Sequence, residues 1–199
     1  MNRISVLLII MTLSFKISLG QNFGDFPKIE KQKLLNDLEI LYQGLDKFHS
    51  GMYWYTPKDS VDLAFKNVKS KISEDMNVLE FHKLISPLVA LSREDHTDIY
   101  LPKKIIEKRN LESTFIPLTF VFLGTKLYCV KNGSNYQELI IEGKEIESIN
   151  GEKPIDIVEK IGNLFASDGY IKPVKYSDLE GFNFSKYYFY YYGNITDVN

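Results

Sequence analysis

"LSREDHTDIY", residues Leu91 to Tyr100, marks the point where one pattern of apolar residues gives way to another. Upstream, apolar side chains recur every three or four positions, the period of one helix face. Downstream, β-branched and aromatic residues gather in short runs, the composition of strands. The stretch itself packs Glu94, Asp95, Asp98, Arg93 and His96 together. Residue types alone allow either a chemically active corner or a solvated helix end leading into a strand.

Working back from this junction, three amphipathic helices are expected over residues 28–95. In residues 28–49 the stripe is Leu34, Leu38, Leu41, Leu45 and Phe48, with His49 at the end, where a cation would complement the helix dipole. The loop "MYWY" (52–55) follows, with Trp54 expected to pin it to the helices. Thr56 is expected to cap a second helix, with Pro57 at its first position and Val61, Phe65, Val68 and Ile72 inward. Asn77 and Glu80 have capping-box spacing for a third helix. In that helix Phe81, Leu84, Leu88 and Leu91 repeat, His82 packs or lies exposed, and Pro87 kinks the helix or shifts its start.

Working forward, "TDIYLP" reads as a strand and "LPKKIIEKRNLES" (101–113) as a charged, exposed boundary. "STFIPLTFVFLGTKLYCVKN" reads as two strands joined at Gly124-Thr125. Two further short strands are expected in "QELIIEGKEIESING", then a turn at Asn150-Gly151. Pro154 should open a helix that buries Ile157, Ile161 and Leu164. Eight aromatics fall within Phe182 to Tyr192. Read as a strand, that tail buries both faces and lacks partner strands, an aggregation hazard. The fold class is α+β.

Composition bounds the function. Of 199 residues, 44% are hydrophobic and 25% charged, the proportions of a globular chain. Residues 1–20 have a signal peptide's form: Arg3, the apolar run "ISVLLIIMTLSF", and small residues Ser18 and Gly20. That apolar run is short for a membrane span, so none is expected after cleavage. Without residues 1–20 the chain keeps 22 basic and 26 acidic side chains, a charge of −4, which gives no electrostatic case for nucleic acid. The single cysteine, Cys129, cannot form an intrachain disulfide and is expected to be a buried thiol. An exported chain without disulfides suits a bacterial periplasm or cell surface.

For His96 the residues leave open a structural hydrogen bond at the junction, or a metal site with Glu94 and Asp98, which alternate with it. No second histidine or thiol completes such a site, and no metal or cofactor is expected. Ser167, Ser177 and Ser185 have neither a G-x-S-x-G elbow nor S-x-x-K spacing.

The ordered set "LLNDLEILYQGLDKFHSGMYWYTPKDSVDLAFKNVKSKI", "LEFHKLISPLVALSREDHTDIYLP", "KLYCVKN" and "GKEIESINGEKPIDIVEKI" resembles the front half of tail-specific (carboxyl-terminal processing) serine peptidases, in the tricorn-like secreted form of Bacteroidetes type. The resemblance implies a helical domain at 28–95, a PDZ-like domain at 112–168, and an aromatic-rich start of a catalytic region at 169–199. The family's α/β nucleophile domain would be absent, leaving the chain inactive alone. It further implies His96 as general base toward the serine of the complete enzyme, and a peptide or protein as substrate. Thr97 matches the family's threonine. The usual Asp-Gly appears as Glu94-Asp95, an acid where glycine would allow unusual backbone angles. The alternative function is a non-catalytic secreted module that binds a peptide or protein through the PDZ-like domain. Oligomeric state is not readable from the sequence.

Overall fold

A computed structural model describes Phe23 and residues 25–136 and 141–195. The signal-peptide expectation, on residues 1–20, lies outside these, as does part of the strand region expected near 137–140. The order is β1 (Lys28–Ile29), α1 (Lys31–Phe48), α2 (Lys58–Lys71), β2 (Met76–Asn77) and α3 (Val78–Val89), then a 3-10 turn at Ala90–Ser92. After it come α4 (Lys103–Glu112), β3 (Leu118–Leu123), β4 (Lys126–Asn132), β5 (Glu145–Ile146), α5 (Pro154–Ile161), α6 (Lys172–Asp178) and α7 (Asn183–Tyr192). Helices and small sheets in one chain make the α+β class a fact of the structure. Among the described residues no helix is long and apolar enough to cross a membrane.

The first half is held by Leu34, Leu38, Val61, Phe65, Val68, Ile72, Phe81, Ile85 and Leu88, drawn from α1 to α3. Phe48, expected to end the α1 stripe, instead points to solvent at 85% exposure. Asn77 caps α3 as its spacing dictates: its side chain accepts from the Leu79 and Glu80 N–H groups, and Glu80 accepts from the Asn77 N–H. The helix runs through Pro87 to Val89. Thr56 does not cap α2. Its hydroxyl donates to the Leu91 carbonyl (2.7 Å), and Pro57 takes the cap position with no side-chain bond.

In the second half β3, β4 and β5 form an antiparallel sheet in that order. Gly124, at φ 65°, turns the β3–β4 hairpin, and Asn150 and Gly151 (φ 52° and 80°) turn the Ile149–Glu152 bridge. Ile157 and Ile161 of α5 are fully buried against the sheet, with Phe120, Phe122 and Leu127. Cys129 is buried in β4, and burial pushes its thiol pKa up.

Three further expectations are corrected. "TDIYLP" is irregular rather than a strand. The charged boundary contains α4, and its Arg109 is buried, stacked beside Phe115 and Tyr190 with its guanidinium donating to the Tyr190 hydroxyl. The aromatic tail is a helix, α7, not a strand. Its buried residues Phe184, Ser185, Tyr188 and Phe189 follow helical spacing. Phe184 meets Phe120 edge-on at 4.9 Å, and Tyr188 stacks on Tyr192 at 4.4 Å. The Tyr192 hydroxyl donates to Glu152 (2.5 Å), which also holds Lys160 of α5 at 2.8 Å. The tail is thus covered by β3 and α5, within the core of residues 112–168. A third cluster of Phe23, Phe26, Leu79, Leu101 and Phe189 joins α3 to α7, so the two halves share an apolar interface.

Candidate functional site

The helix period of α3 ends in a backbone reversal. Arg93 adopts the left-handed conformation at φ 51°, closing the 3-10 turn. A turn then runs from Glu94 to Thr97, with the Thr97 N–H donating to the Glu94 carbonyl at 3.0 Å. Neither Asp95 nor His96 has positive φ. At Asp95 the backbone therefore asks for no glycine; the left-handed angle of this turn lies at Arg93.

Three anchors fix this turn. His49, just past α1, is the first: its Nδ1 accepts from the Gly51 N–H (3.2 Å) and its Nε2 meets Thr97 Oγ1 (2.7 Å). The Thr97 hydroxyl donates in turn to the Glu94 carboxylate. Because Nδ1 accepts, the ring proton sits on Nε2 and is directed to Thr97. His49 here is a neutral donor rather than the cation expected at a helix end. It cannot serve as base toward Thr97, whose proton already points to Glu94.

The second anchor is the Asp95 N–H, which donates to the Asp168 carboxylate at 2.9 Å. The third is Arg93. Its carbonyl accepts from the Gly169 N–H (2.9 Å), its Nη1 donates to the Gly169 carbonyl (3.2 Å), and its guanidinium lies 4.3 Å from the Tyr170 ring centre. Tyr170 donates to the Tyr55 carbonyl at 3.0 Å. The corner therefore joins the loop after α1, the end of α3 and the segment before α6. Trp54 does not pin its loop. It is 77% exposed, and the fully buried Met52 anchors the loop instead.

His96 stands at the tip of this turn, exposed. Among the described residues it has no hydrogen-bond partner, and the Asp95 carboxylate does not hold its ring. Among those residues no three His, Cys, Asp or Glu side chains gather as a metal site, so Glu94, His96 and Asp98 are not a ligand set. His82 is packed: burial lowers its pKa, and its Nε2 meets the Ile99 carbonyl at 3.2 Å. Ser177 and Ser185 are spent on the carbonyls of Val174 (2.8 Å) and Leu118 (3.1 Å). The corner can thus offer an unencumbered imidazole on a fixed backbone. Sequence reading found His96 and Thr97 but missed His49, Asp168 and Gly169 as parts of the same corner. The only signal for the last two was the turn-forming "SDG".

The outer edge of β3 is occupied. Phe120 and Gly181 exchange backbone hydrogen bonds of 3.1 and 2.7 Å, and the Phe122 N–H donates to the Glu180 side chain at 3.2 Å.

No family model, curated protein or solved structure matches this chain.

Proposed function

We propose that the chain is the amino-terminal portion of an exported serine-type peptidase, to which it contributes His96 as general base. The observation that carries this reading is the exposed imidazole on a turn held by three anchors from distant parts of the chain. An imidazole titrates near neutral pH and can take the proton of an attacking hydroxyl. Fixed backbone beneath it provides the positioning that such transfer requires. The acyl-transfer serine comes from outside the described residues, so these alone hydrolyse nothing. The amino-terminal sequence supports export, and the ordered resemblance supports the peptidase class.

The test is His96→Asn in the protein expressed from its complete reading frame, assayed on peptides. Hydrolysis should fall by about 10²–10⁴-fold with unchanged thermal unfolding. Full activity in the variant would sink the reading. The second reading is a non-catalytic module that holds peptides by strand addition. It has less support, because Gly181 and Glu180 already occupy the β3 edge, one of the two edges at which the sheet could take an added strand.

A further inference from the structure

Beside the corner, and used by nothing described so far, a cleft of about 650 Å³ opens between α3, α5 and α6. Its size falls within the range of small-molecule sites, about 300–1,000 Å³. Part of its wall is apolar, from Pro87, Leu91 and Leu164. The rest carries cations: Lys83 from α3, Arg93 from the turn, Lys160 from α5 and Lys175 from α6.

These cations differ in one respect. Lys160 is paired with Glu152 at 2.8 Å. Lys83, Arg93 and Lys175 make no salt bridge among the described residues; the nearest acidic influence on Lys175 is Asp178. Each meets only neutral acceptors: Lys83 the Tyr191 carbonyl at 2.6 Å, Lys175 the Gly162 carbonyl, and Arg93 the Gly169 carbonyl at 3.2 Å. An ammonium has three donors, so Lys83 and Lys175 each retain unused N–H groups. Both amines are half-buried and pay a desolvation cost: burial alone pushes Lys83 down to about 8, and burial with the nearby Arg93 charge lowers Lys175 despite the opposing charge of Asp178. Ser167 also lines the cleft, buried, with no hydrogen-bond partner among the described residues. Asp156 and Glu159 also line it, both exposed.

We infer that this cleft binds a monoanionic organic ligand, a carboxylate carried on an apolar body. Lys83, Arg93 and Lys175 hold the carboxylate, with Ser167 as a hydroxyl donor. Pro87, Leu91 and Leu164 take the apolar body. The acids favour a ligand of low charge: Asp156 and Glu159 line the cleft and Asp178 acts on Lys175, so a multiply charged anion meets repulsion that a single carboxylate held by Lys83 and Arg93 largely avoids. The inference does not depend on the peptidase reading, because neither His96 nor a nucleophile takes part.

The test is calorimetric titration of the purified chain with octanoate, 1-octanol and inorganic phosphate. Octanoate should bind, with octanol and phosphate each weaker by about tenfold or more, the worth of a charge-assisted hydrogen bond. Lys83→Gln and Lys175→Gln should each weaken octanoate by about tenfold, with circular dichroism unchanged. No octanoate binding at millimolar concentration would overturn the inference. Octanol binding as tightly as octanoate would overturn it too, since the cations would then contribute nothing. Phosphate binding as tightly would reduce the cleft to a point-charge site. If either variant fails to fold, the comparison of the three probes on the native chain decides alone.

Discussion

The Nε2 of His49 lies 2.7 Å from the Oγ1 of Thr97, which donates onward to Glu94. This short chain of hydrogen bonds ties the end of α1 to the turn that carries His96. Thr97→Val keeps the shape and removes the hydroxyl, leaving the largely buried His49 donor unpaired. The expected cost is about 1–3 kcal/mol in denaturant unfolding, with Thr97→Ser close to the native chain. Equal stability of the valine and serine variants would mean that the hydroxyl does not tie these segments together.

Gly169 tests the other side of the corner. It sits at φ 56°, and a Cβ there would come 3.3 Å from the Tyr55 ring. Gly169→Ala therefore combines backbone strain with a crowded contact, at an expected cost of about 1–2 kcal/mol. The backbone N–H groups of Asp95 and Thr97 should exchange with deuterium faster as the turn loosens. Unchanged exchange at both would show that the turn is held without residues 168–170.

How much of this was legible follows the range of the interaction. The Asn77–Glu80 capping box, the Gly124-Thr125 turn, and Pro154 ahead of Ile157 and Ile161 lie within a few residues of their partners, and the structure has each of them. The aromatic tail misled because a run composed almost wholly of Phe and Tyr has little polar contrast to reveal its period. Its signals were weak ones: Ser185 and Lys186 interrupting the run, and Gly193 ending it at φ 86°. Of the corner only His96 and Thr97 were legible, and of the cleft nothing. Asp95 with Asp168, or Lys83 with Tyr191, are contacts that only the packed fold creates.

Phe189 tests whether the two halves fold as one unit. It is 1% exposed and packs with Leu79 of α3 and with Phe23 and Phe115. Phe189→Ala should cost about 3–5 kcal/mol. It should also separate the unfolding of the first half, followed by deuterium exchange at the α1 to α3 amides, from that of the second, followed at the β3 and β4 amides. Coincident transitions in the variant would show that α3 and α7 are coupled by other contacts.

Lys83 gives a prediction with a definite sign in pH. Burial lowers its pKa to about 8 from the 10.5 of an unfolded lysine. Between those values the unfolded chain binds more protons than the folded one, so stability should rise with pH. Lys175 and Lys186, also lowered by burial, act in the same direction. The opposing groups enter later. Cys129 is raised above 9.0, and the buried Tyr188 and half-buried Tyr187 and Tyr190 are raised above 10.0, so each favours unfolding mainly at higher pH. The charged groups facing Lys83 across the cleft are Arg93, Asp156, Glu159, Lys160 and Lys175. Denaturant midpoints should therefore increase across that window in the native chain. Lys83→Met removes the buried charge and keeps the bulk, so it should raise stability at pH 7 and flatten the rise between pH 8 and 9. It should also weaken octanoate binding, the trade expected of a charge kept for a ligand and not for the fold. A variant less stable than the native chain at pH 7 would show that the bond from Lys83 to the Tyr191 carbonyl outweighs the burial of its charge.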